Sequence, residues 1–352
     1  MKKIIAILGI STLVSCGSGQ LISVNEDNAG QPITTQSTTA TESSGITKTE
    51  QKELTPAPGI LGSSKTTSVR KTMEFLASDD LGGRDTGSPG IQKAAKYIEG
   101  RFTRSNIKPY FKDNYRSIFE VNEQEAFNIV GMIEGTDPRL KNELVIIGAH
   151  YDHIGNNAKA VNGDNIANGA NDNAAGTTAV LAIADHFAKA KNNKRTLVFA
   201  LFSAEEKGLK GSADLARKMK AQGAKPYVMF NIEMIGVPMI GKDHLVYCSG
   251  YDLSNLAEKF NEYADEKVIG FLPKAKEFNL FKRSDNYPFY TQFKIPAQTI
   301  SSFDFTNYDY YHHVDDEASE MDYVFMQTVI NKVVPGIAKM ANTPKKEIKM
   351  NE

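Results

Sequence analysis

Five short segments of this chain carry the residue types of metal-assisted chemistry: GAHYDHIG, NDNAAG, FSAEEKG, NIEMIG and YYHHVDD, in order from His150 to Asp316. Each sets a histidine or a carboxylate beside glycine or at the end of an apolar run. His150, His312, Asp172, Glu205, Glu206 and Glu233 would bring two imidazoles and four carboxylates to one pocket. Carboxylates gathered so closely repel one another, and cations are the simplest way to hold them together. The chemistry to expect is metal-dependent hydrolysis.

Taken singly, each residue has a plainer reading. His150 closes the apolar run Leu144–Ala149, and Asp152 follows two residues on. A histidine ligand commonly has its tautomer set by a carboxylate or carbonyl, but a surface histidine at a strand end would look the same. His153 stands close by without a specific role. Asp172, in NGANDNAAG, either caps the helix that follows or shares its two oxygens between two cations. Glu205 and Glu206 directly follow TLVFALF. They form an exposed acidic turn, or divide into one ligand and one general base. Glu233, between Ile232 and Met234, ends an apolar stretch and needs a metal or an arginine if it is buried. His312 and His313 could both be loop histidines. All these plain readings would have to hold at once.

The elements that must position these residues alternate. Helices are expected over Thr67–Leu76, Gly90–Phe102, Ala174–Ala190, Leu209–Gln222, Leu253–Asp265 and Met321–Met340. Strands are expected near Tyr115–Val121, Phe127–Ile133, Leu144–Ala149, Thr196–Phe202, Tyr227–Met234 and Ala297–Ile300. Continuous apolar strands between amphipathic helices predict an α/β fold, a mostly parallel central sheet with helices on both faces. Such sheets bind ligands at the carboxyl ends of their strands. His150, Glu205, Glu206 and Glu233 all fall there.

The chain has 352 residues and a formal net charge of −1, with no basic patch to recruit nucleic acid. Lys2 and Lys3 precede the apolar run Ile4–Val14, too short to span a bilayer comfortably. Leu13-Val14-Ser15-Cys16 then resembles the bacterial lipobox. The expectation is a lipoprotein signal at 1–15, lipidated Cys16 with a Ser/Thr-rich tether over 16–64, a catalytic body at 65–342 and a frayed charged tail at 343–352. The protein would be exported and lipid-anchored to a bacterial membrane. Cys248 then has no intrachain disulfide partner and is expected in a buried strand.

The motifs, in this order and spacing, resemble those of the co-catalytic zinc aminopeptidases, relatives of glutamate carboxypeptidase II and the transferrin receptor. The resemblance runs from about residue 72 to 338. It includes FLASDDLGGRDTGSPG, NIVGMIEG at Asn128–Gly135 and SDNYPF at Ser284–Phe289. It implies a zinc exopeptidase fold and two divalent ions, zinc first among them. His150, Asp172 and Glu233 would hold one ion, and Asp172, Glu206 and His312 the other. Asp172 would bridge, Glu205 would be the general base, and Asp152 would orient His150. Tyr311 would polarise the scissile carbonyl, and Asp285 would support the ligands from behind. His313 falls where the family usually has a small polar residue and is left out. Glu233 stands where the family more often has Asp, so the extra methylene shifts that carboxylate.

Three ligand carboxylates against two divalent ions leave a net charge of +1, which suits a bridging hydroxide. The implied activity is removal of N-terminal residues from peptides with a free N-terminus. One alternative is the single-zinc glutaminyl cyclase. Relatives of that kind carry tryptophans around the site, whereas this chain has none and places Tyr311 before the last histidine. The other is a non-catalytic binding ectodomain, in which ligands are typically lost; this chain keeps them all. Loops 236–250 and 270–292 are expected to shape the specificity pocket.

Overall fold

The computed structural model describes residues 63–352, with side chains from residue 66. The expected signal, Cys16 and nearly all of the tether lie outside the described residues. The first helix, α1 (Ser63–Leu76), already takes in the last two positions assigned to the tether. It is followed by α2 (Pro89–Arg104), β1 (Lys108–Pro109), β2 (Arg116–Val121), β3 (Gln124–Ile133) and β4 (Glu143–His150). Next come α3 (Ala175–Ala190), β5 (Thr196–Phe202), α4 (Lys210–Ala221), β6 (Lys225–Ile232) and β7 (Val246–Cys248). The chain closes with α5 (Leu256–Ala264), β8 (Ile269–Gly270), α6 (Pro273–Glu277), α7 (Asn286–Phe293), β9 (Ala297–Ser301) and α8 (Tyr323–Asn342).

The sheet runs β1-β3-β5-β4-β6-β9-β7-β8, with β2 paired to β3. Its centre, β5-β4-β6-β9, is parallel. The flanking pairs β3–β5 and β7–β9 are antiparallel, so the sheet is mixed around a parallel core. Strand side chains alternate between faces, and the two core clusters show it. Val145, Ile147, Leu197, Phe199, Val228 and Phe230 pack under the face covered by α1, α2, α3, α5 and α8. Ile146, Val198, Ala200, Phe202 and Met229 pack on the opposite face with Leu215 and Met219 of α4 and Phe289 of α7. Covered on both sides, these strands have no use for polar residues, hence the unbroken apolar runs.

Register then sets the site. His150 pairs with Phe202, so β4 and β5 end level. Ile232 of β6 pairs with Ile300 of β9. The residues just beyond these ends share one edge of the sheet.

Two expectations are corrected. The segment 270–292 is not simply loop, because α6 and most of α7 lie within it, and β7 lies within 236–250. The tail is not frayed: Ile348 is buried, its N–H donates to Tyr227 Oη at 2.8 Å, and Lys349 N–H donates to Asn255 Oδ1 at 2.7 Å. One apolar residue among charges is enough to dock it. Cys248 is buried in β7 as expected. Among the described residues no helix is long and apolar enough to cross a membrane.

Candidate metal centre

His150 is the last residue of β4, and its carbonyl accepts from Thr177 Oγ1 of α3 at 2.7 Å. Its Nδ1 lies 3.1 Å from the carbonyl oxygen of Asp152. With that N–H engaged, Nε2 is left facing Asp172 Oδ1 at 3.2 Å. Asp152 therefore meets His150 through its backbone. Its carboxylate stands 3.8 Å from the ring and serves another purpose. It accepts the N–H groups of Glu205 at 3.2 Å and Glu206 at 3.4 Å, and Thr86 Oγ1 at 3.3 Å. That bond pair fixes the backbone on which the two glutamates sit, three and four residues past β5.

Asp172 does not cap α3. Asn173 takes that task, its Oδ1 accepting Gly176 N–H at 2.8 Å and Met234 N–H at 3.2 Å. Asp316 clamps the same loop from 144 residues away, accepting the N–H groups of Asn171 at 2.7 Å and Asp172 at 3.0 Å. The Asp172 carboxylate is thereby free. Oδ1 faces His150, and Oδ2 lies 3.2 Å from His312 Nε2. His312 Nε2 is also 3.2 Å from Glu206 Oε2.

These contacts test whether a cation fits. His312 Nε2 is buried beside two carboxylate oxygens yet has no hydrogen bond of proper angle. Ligands held about 2.0–2.1 Å from a tetrahedral ion stand about 3.3 Å apart, close to the separations seen. Donor atoms of His153, Asp172, Glu206 and His312 lie within 4.8 Å of one another, as do those of His150, Glu205 and Glu206. The donor set is nitrogen and oxygen only, which suits zinc and admits cobalt or manganese. Glu233 stands outside both groups. Its Oε1 accepts from Ser284 Oγ at 2.5 Å and Asn231 Nδ2 at 3.1 Å.

The imidazoles and carboxylates set one another's protonation. Burial opposes a charged His312, but Asp172 and Glu206 outweigh it and push the imidazole up to about 10. His150 is raised well above its ordinary value despite burial, chiefly by Glu205 and Asp172. Burial also works against ionised Asp172, yet His150 and His312 hold it well below the usual carboxylate range. Carboxyls lacking such a partner rise. Burial, against the pull of His150, takes Glu233 to about 7, Asp285 to about 8 and Asp152 to about 6. Glu205 goes well above the ordinary range for the same reason, with Glu233, Asp285 and Glu206 adding to it.

Tyr311 stacks on His312 with centroids 4.0 Å apart, and on Phe303 at 5.6 Å. Burial and the nearby Asp172 and Glu206 raise its hydroxyl, which stays a donor. It lines a cavity of about 90 Å³ with Glu233, Met234, Tyr247, Leu280 and Phe303. Asp285 is fully buried and neither of its oxygens has a hydrogen-bond partner. His313 turns away, its Nδ1 accepting Asp315 N–H at 3.1 Å.

Three residues at the site were not singled out from sequence. His153 is wholly buried, with Nδ1 3.0 Å from Glu206 Oε1. Asp316 is the loop clamp. Arg84, also wholly buried, donates to the carbonyls of Tyr151 at 2.8 Å, Asn168 at 2.7 Å and Gly169 at 2.9 Å, and to that of Leu76. It ties the His150 loop to the Asp172 loop. Each sits inside a segment already singled out, GAHYDHIG, YYHHVDD or FLASDDLGGRDTGSPG, and that proximity was the available signal.

Residues 128–335 match the family model described as Peptidase family M28. A probable leucine aminopeptidase of Trichophyton verrucosum is 30% identical over 230 residues, 63% of this chain and 58% of that one. The chain spans less than two thirds of the length of the curated relatives it matches. Among solved structures, the LapA aminopeptidase of Legionella pneumophila superposes with a TM-score of 0.62 at 18% identity, over 80% of this chain and 73% of that one. The glutaminyl cyclase of Porphyromonas gingivalis superposes with a TM-score of 0.61 at 15% identity, over 78% and 98%. These structural likenesses speak for the fold, which the two activities share.

Proposed function

The chain belongs to peptidase family M28, and from that premise we propose that it is an aminopeptidase, removing single N-terminal residues from peptides at a centre of two divalent ions, zinc first among them. One observation carries the reading: Asp172 offers one oxygen to His150 and the other to His312, each at 3.2 Å. A buried carboxylate shared between two imidazoles is the arrangement of a bridging ligand.

His150, Asp172 and Glu233 would hold the first ion; Asp172, Glu206 and His312 would hold the second. Bound there, divalent ions supply Lewis acidity, polarising a substrate carbonyl and acidifying water. The chain's own residues do the rest. Glu205, raised above ordinary carboxylates by burial, takes a proton at the site and returns it to the leaving amine. Asp152 keeps Glu205 and Glu206 on a fixed backbone. Tyr311 donates its hydroxyl to the carbonyl oxygen of the scissile bond. The cavity beside Glu233 and Tyr311, about 90 Å³, would receive the side chain of the N-terminal residue.

The test uses metal-reconstituted protein lacking residues 1–16, a mixed peptide set that includes N-terminal glutamine, and mass spectrometry. Stepwise loss of whole N-terminal residues is expected. Loss of ammonia from the glutamine peptides alone would replace this reading with the cyclase. The lysines, apolar run and Cys16 at the N-terminus support a further part of the reading, attachment to a bacterial membrane through lipid on Cys16. Radiolabelled fatty acid should enter the parent chain in cells and not the Cys16→Ser variant.

A further inference from the structure

We propose that His153 is a positioning residue for the second cation: its Nδ1–H pins one oxygen of Glu206 so that the other stays turned toward Asp172 and His312. The proposal rests on the two-cation reading above.

The two oxygens of Glu206 are divided. Oε1 lies 3.0 Å from His153 Nδ1, and Oε2 lies 3.2 Å from His312 Nε2. A free carboxylate would rotate between these orientations and could turn both oxygens to an ion. The hydrogen bond removes that freedom. His153 belongs to the same cluster of donor atoms, but its distances set it apart. Nδ1 is 3.8 Å from Asp172 Oδ2, beyond hydrogen-bond reach and longer than the 3.2 Å separations around His312. It stands behind Glu206 rather than on the shared sphere.

The other ring nitrogen agrees. His153 Nε2 is buried without a partner. If Nδ1–H donates to Glu206, Nε2 is a bare acceptor. If Nδ1 bound an ion instead, Nε2 would carry an unpaired buried N–H, the less tolerated of the two. The ring is also built into the fold. It lies so close over Gly169 that a Cβ there would come 2.5 Å from His153 Cγ, and it meets His312 edge-on with centroids 5.5 Å apart.

Removing the hydrogen-bond partner of a metal ligand typically costs 10–100-fold in metal affinity. The experiment strips metal from the described protein and its variants, then titrates zinc against a chromophoric chelator. Cobalt absorption spectra are recorded in parallel. His153→Ala is expected to weaken the second ion about 10–100-fold and leave the first unchanged. His153→Asn, whose amide can donate from near the Nδ1 position, is expected to recover most of that affinity with the parent's cobalt spectrum. Equal second-ion affinity in parent and Ala variant would overturn the proposal. So would an Asn variant as weak as Ala with an altered cobalt spectrum, because His153 would then be a ligand. If thermal melts show the Ala variant unfolded, His153→Leu, of similar size and without a donor, takes its place: a second-ion affinity about 10–100-fold weaker that the Asn variant recovers supports the proposal, and parental affinity overturns it. A parent chain that takes only one ion would remove the two-cation premise itself, whatever the variants do.

Discussion

Replacing Glu205 by Gln separates catalysis from stability, because the two should move in opposite directions. Gln keeps the shape and leaves the backbone bond from residue 205 to Asp152 in place. It removes the proton acceptor. General acid–base groups contribute about 10²–10⁴ in rate, so kcat should fall by that factor, about 3–5 kcal/mol at 1.36 kcal/mol per decade. For the metal-free fold the sign reverses. The folded carboxyl stands well above the ordinary 4.5, mainly through burial. Below the unfolded value both states are protonated and Glu205 costs nothing by ionisation. As pH rises past it, the unfolded chain ionises freely while the folded chain resists, so stability drains away up to the folded value. The Gln variant is spared this. It should melt higher than the parent at pH 7 and together with it near pH 4, both without metal. The assays are steady-state hydrolysis of an aminoacyl anilide, metal content by mass spectrometry, and thermal melts at the two pH values. A fully metallated variant within tenfold of parental kcat, or a metal-free variant melting below the parent at pH 7, would refute the reasoning.

Metal affinity should climb as pH rises toward about 10, since His312 is raised to about 10 and His150 well above its ordinary value, and both must shed protons to bind; calorimetry in buffers of different ionisation enthalpy should show proton release. Asp152→Asn keeps the carbonyl facing His150 but weakens the hold on Glu205 and Glu206, and at about 1.5–3 kcal/mol per charge-assisted bond kcat should fall about tenfold to a hundredfold with first-ion affinity retained. Ile348→Ala should cost about 2–5 kcal/mol, read as a lower denaturant midpoint with parental kcat, because that side chain is 2% exposed in the core packing and far in sequence from every site residue.

What could be read from the chain, and what could not, divides by how far away the deciding partner sits. β5 lies exactly where its apolar run does, Thr196–Phe202, and β4 and β6 differ from expectation by only a residue or two at each end. Their burial on both faces is written in their own residues, and the carboxyl ends where His150, Glu205, Glu206 and Glu233 stand follow from it. Polar atoms are different, because each chooses among partners that local sequence does not rank. Asp172 and Asn173 are adjacent and both are plausible caps. Asn173 takes the cap because Met234 N–H also needs its oxygen, and Asp172 is released because Asp316 holds its loop across 144 residues. Asp152 likewise splits its work, carbonyl to His150 and carboxylate to the glutamates, a division invisible in the string HYD. His153 had no reading at all until Glu206, 53 residues on, was seen beside it. The tail misled for the converse reason: its charges predict fraying, and only the distant Tyr227 and Asn255 show that Ile348 has somewhere to go. A metal centre built at strand ends therefore announces its ligands through local pattern, while the residues that aim those ligands are set by contacts across the fold, and it is among the latter that substitutions should tune affinity without abolishing the site.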